Sequence, residues 1–243
     1  MTAKSLYVGC AGWSIGRDYL PVFTEGGTHL ERYASRLTGV EINSSFYRSH
    51  RPQTYAKWAA SVGADFRFSV KVPKSITHEY RLHNCEPLLD AFLSECSSLG
   101  SHLSCLLIQV PPSLTFDSSI VGHFFQALRD RFEGYVIIEP RHETWTRAEQ
   151  LLIDHRIAQA SVNPSRISGD KEPRGWLGIR YWRLHGSPTI YYSPYERAWL
   201  EDRATKIQQT LSAGVPTWCI FDNTASGAAM GNALTMLELL QME

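Results

Sequence analysis

Short apolar runs alternate with longer stretches of helical periodicity along the whole chain, and this alternation constrains the fold more than any other feature. Strand, crossover helix and strand again is the grammar of βα units, in which a parallel sheet lies buried beneath its helices. The strand-like runs are residues 6–10, 40–44, 66–72, 105–110, 135–139, 157–162, 181–185 and 218–221, most of them rich in β-branched and aromatic residues. Apolar residues three and four apart mark helices over 29–37, 53–62, 87–99, 120–132, 147–155, 195–212 and 230–240. Thr28-x-x-Glu31 reads as a capping box, and Gly39, Gly63, Gly100, Gly134 and Gly214 are expected to end helices in the left-handed conformation.

Eight such units in 243 residues fit a single (β/α)8 barrel, the TIM-barrel architecture, spanning residues 1–243 as one α/β domain. An open doubly wound sheet would need fewer strands or a second domain, and no linker-like tract divides the chain. The sixth helix is the weak unit, because residues 166–177 contain Pro173 and two glycines.

The 24 Lys and Arg balance the 24 Asp and Glu, so long-range attraction to nucleic acid or to an anionic membrane is not expected. Residues 1–16 are too short and too interrupted in their apolar character for a signal peptide, and no run approaches the roughly 18 apolar residues of a membrane span. Five cysteines (Cys10, Cys85, Cys96, Cys105 and Cys219) without a C-x-x-C pair suggest neither a disulfide framework nor a thiolate metal site. A cytoplasmic location and buried, inert thiols are the expectation.

In a barrel of this kind the site lies where the C-terminal ends of the strands meet their loops. Period-two alternation points Glu41 and Asn43 inward from the second strand while Val40 and Ile42 face outward. The same reading places Lys71 at the end of the third strand, Gln109 in the fourth, Glu139 and Arg141 at the fifth, Arg183 and His185 in the seventh, and Asn223 after the eighth. His78, soon after the third strand, adds another proton-transferring group. Buried Lys and Arg need counter-charges, so a mixed-charge pocket follows. Such ions could form only a closed stabilising lattice, but lattices of this kind stabilise poorly compared with packed hydrophobes, which favours a site.

Glu139, His185 and Lys71 are the catalytic candidates, with protons exchanged between Glu139 and His185. Lys71, Arg141 and Arg183 would bind charge on a small polar ligand, anionic or sugar-containing. Trp13, Glu41, Asn43, Tyr47, His78, Gln109 and Asn223 complete the ligand-binding set. Phe46, Trp145, Tyr191 and Tyr192 also follow strands; each ring taken alone reads more simply as packing over a loop than as a stacking wall.

No Walker A loop, G-x-G-x-x-G, H-E-x-x-H, G-x-S-x-G or EF-hand loop is present, so the sequence names no cofactor and assigns no metal. A metal-dependent hydrolase or isomerase using Glu41, Glu139, His185 and Asp222 ranks lower, because the neighbouring cations would repel a divalent ion. A module stacking nucleotide or RNA on Trp13, Tyr47 and Trp145 is weakened by the zero net charge.

Eight motifs occur in order: Gly9-Cys-Ala-Gly-Trp13, Val40-Glu-Ile-Asn-Ser-Ser-Phe-Tyr-Arg48, Phe68-Ser-Val-Lys71, Ile76-Thr-His78, Gln109-Val-Pro-Pro112, Glu139-Pro-Arg-His142 with Trp145, Arg183-Leu-His-Gly186 and Phe221-Asp-Asn223. Together they resemble the YecE-like domain-of-unknown-function-72 family, over nearly the whole chain. The resemblance implies a TIM-barrel fold and no established activity. Asp222 departs from the family's usual Asn and Asn163 from its common Asp, which implies a charge exchanged across the pocket. The small-residue stretch 225–229 resembles the family's entry into the last helix, whose N-terminus could face an anion.

Overall fold

The computed structural model describes residues 6–168 and 172–241. Its strands are β1 (Leu6–Cys10), β2 (Gly39–Ile42), β3 (Arg67–Lys71), β4 (Leu103–Gln109), β5 (Tyr135–Glu139), β6 (Ile157–Gln159), β7 (Ser161–Asn163), β8 (Arg174–Gly175), β9 (Arg180–Leu184) and β10 (Thr217–Phe221). The α-helices are α1 (His29–Ala34), α2 (Pro52–Ala60), α3 (Glu86–Cys96), α4 (Ser118–Arg129), α5 (Glu149–Asp154), α6 (Arg197–Ser212) and α7 (Ala228–Gln241). The chain is thus an α/β fold, and each expected strand is present, with the sixth divided at Ala160 into β6 and β7.

Two sheets carry the strands, in the orders β1-β10-β9-β7 and β2-β3-β4-β5-β6-β8. All pairings are parallel except that of β8 with β6. Gly12 donates its N–H to Glu41 O at 2.9 Å and Thr38 donates to Val8 O at 3.3 Å, which joins β1 to β2. Ala160 donates to Ile138 O at 2.9 Å, which carries the β5 pairing past the break between β6 and β7. Backbone bonds thus link the two sheets where β1 lies beside β2, and the chain itself passes from one sheet to the other at Ala160.

Side-chain parity divides the core in two. Val8, Val40, Ile42, Val70, Leu106 and Ile108 point toward the helices and join the large cluster there. Their neighbours Cys105, Leu107, Ile137, Tyr181, Trp218 and Ile220 point the other way and form a second cluster, in which Tyr181 and Trp218 stack at 5.9 Å. Continuing that inner parity toward the strand C-termini gives Ser69 and Lys71, Gln109, Glu139, Arg183 and His185, and Asp222, all buried. An apolar plug thus lies beneath a polar layer.

Helix ends follow local chemistry only in part. Thr28 and Glu31 form the expected capping box at α1, each side chain accepting from the other's backbone N–H. Thr28→Ala is expected to lower stability by about 1 kcal/mol, seen as a lower urea midpoint that Thr28→Ser restores. Of the five glycines expected to be left-handed, only Gly100 (φ 56°) and Gly214 (φ 75°) are so. Ser35, Ser61 and Asp130 close α1, α2 and α4 instead. Gly39 serves a different end: a Cβ there would stand 3.0 Å from both the Trp218 ring and Tyr7 Cβ, so glycine lets the second cluster pack against β2.

The described part of residues 166–177 holds no helix and contains the two-residue β8, as the weak sixth unit leads one to expect. All five cysteines are buried and unpaired. Burial pushes the Cys10 thiol up to about 12, which leaves it protonated and inert. No described helix is long and apolar enough to cross a membrane.

Candidate functional site

The polar layer is organised by Arg183, whose side chain has no solvent exposure. It stands on β9 with inward parity, so its guanidinium rises among the strand ends. Nε and Nη2 donate to Glu41 Oε2 and Oε1 at 2.8 and 2.7 Å, a bidentate pair with the carboxylate of β2. Nη1 donates to Glu139 Oε2 at 3.1 Å and lies 3.0 Å from Asp222 Oδ2. One guanidinium thus satisfies carboxylates from β2, from β5 and from the residue just after β10, and Tyr181 adds a phenolic donor to Glu41 Oε2 at 3.1 Å.

These partners set the charge states. Burial alone would raise the Glu139 carboxyl, but Arg183, then His185 and Arg141, hold it well below the usual carboxylate range. Burial also works against Asp222, and Arg183 with His185 brings it below its ordinary value. Glu139 is therefore a fixed anion, with Arg141 Nε donating to its Oε1 at 2.8 Å. The expectation that Glu139 exchanges protons gives way to a positioning role, because its oxygens are engaged by two guanidiniums. Arg183, expected to bind a ligand's charge, is likewise fully engaged by protein carboxylates.

His185 is held differently. Its Nδ1 lies 2.9 Å from Asp222 Oδ2, so the proton sits on Nδ1 and Asp222 accepts it. Nε2 has no hydrogen-bond partner, and Glu139 Oε1 is 3.4 Å away. A small cleft of about 50 Å³, bordered by Glu139, Arg141, Val162, His185 and Tyr191, adjoins the imidazole. An imidazole with one nitrogen fixed by a carboxylate and the other unbonded beside a cleft is arranged for proton transfer.

Lys71, at the end of β3, is also buried. Its Nζ donates to Asn43 Oδ1 at 3.0 Å and lies 4.2 Å over the Phe46 ring, so its near partners are a neutral amide and a ring face. Burial and Arg183 push its ammonium down from 10.5 to about 8, against the longer-range pull of Glu41, Glu139 and Asp222. His78 stands edge-on to the same Phe46 at 5.0 Å, and burial with the charges of Lys71, Arg141 and Arg81 lowers its basicity. It sits on a π-helical turn, Ser75–Glu79, of a kind often found at functional positions.

The remaining expected residues scatter. Gln109 is buried at the end of β4 with inward parity. Asn223 points out of the layer, donating to Ser193 O and to Asn232 Oδ1, both at 2.9 Å, and so fastens the last helix. Asp222 takes the inward place, a one-residue correction that the alternation of Trp218 and Ile220 already encodes. Its charge goes to Arg183 and His185, while the backbone oxygen of Asn163 accepts from His185 N–H at 2.8 Å.

Trp13 packs edge-on against Trp58 at 5.0 Å and lines a separate groove beside α2. Trp145 is core, 1% exposed, donating its indole N–H to Leu114 O. Tyr47 is 68% exposed and packs on Phe46. The three rings named as a nucleotide platform thus share no wall. The carboxylates named as metal ligands turn onto Arg183, and no group of three His, Cys, Asp or Glu suited to a metal occurs among the described residues. At the entry to α7, Ala229 N–H already donates to Asn223 O at 3.0 Å.

Comparison with known proteins supplies kinship. A family model described as "Protein of unknown function DUF72" matches residues 7–243. The UPF0759 protein YecE of Escherichia coli K12 is 29% identical over 171 residues, 69% of this chain and 60% of the relative's length. The UPF0759 protein YunF of Bacillus subtilis is 24% identical, with 98% of this chain and 95% of the relative covered. Crystal structures of DUF72 family proteins from Enterococcus faecalis and Thermotoga maritima superpose with TM-scores of 0.81 and 0.76, at 20% and 23% identity. They cover 100% and 97% of this chain, and 100% and 99% of their own. The likeness to them is one of fold.

Proposed function

The chain belongs to the DUF72 family of proteins of unknown function, and from that premise we propose that it is an enzyme working by acid–base chemistry on a small polar ligand, anionic or sugar-containing. In this reading the strands close into one eight-stranded barrel, supported by the bonds from Gly12 to Glu41 and from Ala160 to Ile138. The observation that carries the function is His185: Nδ1 given to Asp222, Nε2 unbonded beside the cleft.

His185 Nε2 accepts a proton from a C–H or O–H of the ligand and later returns it. Asp222 keeps the imidazole in the tautomer that exposes the Nε2 lone pair and stabilises the imidazolium once formed. Lys71 and Arg141 offer positive charge to the oxygen on which negative charge develops, and Glu139 with Glu41 fixes Arg183 beneath them. No cofactor or metal enters this scheme, and the unpaired thiols suit a reducing compartment such as the cytoplasm.

Lys71 provides the test. At pH 7 it lies below its folded value of about 8, so it is charged in the folded and the unfolded chain and its desolvation cost is present in full. A buried ammonium with lowered basicity among the polar strand ends suits a functional role. Lys71→Met is expected to be as stable as wild type or more so, by up to on the order of 3 kcal/mol. A thermal-shift screen of sugars, hydroxy acids and phosphorylated compounds should find a ligand that raises the melting temperature of wild type and not of Lys71→Met. His185→Gln should retain that shift and lose turnover by roughly 100-fold or more. A wild type that binds none of them, together with a Lys71→Met variant several kcal/mol less stable, would make the cluster structural.

A further inference from the structure

The site as it stands is too small for a metabolite. A cleft of about 50 Å³ has room for a few water molecules, whereas small-molecule pockets run to roughly 300 Å³ and more. Something that borders it must move, and Tyr191 combines three properties that single it out.

It is 37% exposed, yet its ring stands edge-on over His185 at 5.4 Å and covers the imidazole. Its hydroxyl accepts a hydrogen bond at 3.2 Å from Arg141 Nη2, a nitrogen that also lies 2.8 Å from Glu139 Oε1. Its backbone is left-handed at φ 72°, a conformation that disfavours a β-carbon, and is held there by its N–H donating to His185 O at 2.6 Å. The loop that carries it leaves β9 through Gly186, at φ 93°, where a Cβ would meet Ser193 O at 2.6 Å. The backbone of this exposed aromatic is anchored, by its N–H to His185 O and by its carbonyl, which accepts from Ala225 N–H at 3.0 Å, whereas its ring is latched over the cleft by a single modest side-chain hydrogen bond.

We propose that Tyr191 is the gate of this site, and that its phenolic oxygen occupies on Arg141 the seat of a ligand carboxylate; this rests on the acid–base reading above and names the ligand class. A carboxylate is the stronger partner for guanidinium Nη2, since it brings an opposite charge to the bond where the neutral phenol brings only a lone pair. Its arrival releases the phenol, the ring lifts from His185, and the left-handed strain at Tyr191 is relieved as the loop swings outward. Ligand binding and opening are then one event, and a ligand without an anionic group lacks the means to displace the latch.

The gate is tested without knowledge of the substrate, by the rate at which diethylpyrocarbonate modifies His185, read by peptide mass spectrometry. His123, whose side chain is 72% exposed, is the internal reference. Tyr191→Ala should raise His185 modification at least ten-fold with His123 unchanged, and Tyr191→Phe, which keeps the ring and loses the latch, should fall between. Glycolate, as a carboxylate probe, should slow His185 modification in Tyr191→Ala, and Arg141→Gln should cancel that protection. Equal modification of His185 in wild type and Tyr191→Ala overturns the gate. Protection that is absent, or that survives Arg141→Gln, overturns the carboxylate seat. The acid–base reading fails on a different result, turnover retained in His185→Gln, so the two failures are distinguishable.

Discussion

Replacing Arg183 with methionine is expected to cost about 3–5 kcal/mol, a large share of the roughly 5–15 kcal/mol that holds a domain folded. The guanidinium neutralises Glu41, Glu139 and Asp222 simultaneously, and all three carboxylates are at least nine-tenths buried. Methionine fills similar space and leaves Glu41 with only the Tyr181 phenol close by, since Lys71 acts on it from beyond contact distance. Arg183→Lys is expected to be nearly as damaging, because a single ammonium cannot reproduce a bidentate pair to one carboxylate and a third N–H to another. Urea unfolding of both variants measures this; a midpoint for Arg183→Met within about 1 kcal/mol of wild type would mean that the cluster is not the keystone of the polar layer.

The second large effect is acid lability. Glu139 and Asp222 both bind protons less readily when folded than when unfolded. As pH falls below their ordinary values of 4.5 and 3.8, the unfolded chain takes up protons first. Their contribution is therefore complete at neutral pH and is lost progressively as pH drops toward the folded values, at a rate of up to about 1.4 kcal/mol per group for each pH unit. Wild type should lose stability gently as pH falls below about 6.5, where the weakened basicity of His78 opposes its charging in the folded state, and steeply below about pH 5 as the carboxylates titrate. Glu139→Gln has one such group fewer and should show a lower plateau with a shallower acid limb. A urea midpoint independent of pH between 5 and 3 would contradict the buried ionic arrangement.

Much of this architecture is legible without coordinates, for a local reason. Strand residues alternate between two environments, so Glu41, Lys71, Gln109, Glu139, Arg183 and His185 announce themselves as polar residues at inward positions near strand ends. Capping at Thr28 is equally local, because donor and acceptor lie three residues apart. Glycine caps were less transferable: a residue following a helix also enters the next strand, and at Gly39 the demand came from Trp218 and Tyr7 across the fold. The break at Ala160 and the lack of a helix in the described part of residues 166–177 show the same limit, since periodicity detects a weak unit and does not say what replaces it.

What the sequence by itself determined was the α/β grammar, the parity of each strand and the concentration of charge at the strand C-termini. What only the tertiary structure decided was the pairing of those charges. Arg183 and Glu41 are 142 residues apart, and their meeting depends on the stagger of strands that no local pattern records. That stagger made Arg183 a buried hub and turned Glu139 into its fixed partner. It left His185 Nε2 and Lys71 Nζ as the groups of the layer without a bonded carboxylate, and it sent Trp13 and Trp145 to other surroundings. Local chemistry specifies which residues face inward, and long-range packing specifies which of them remain available to react.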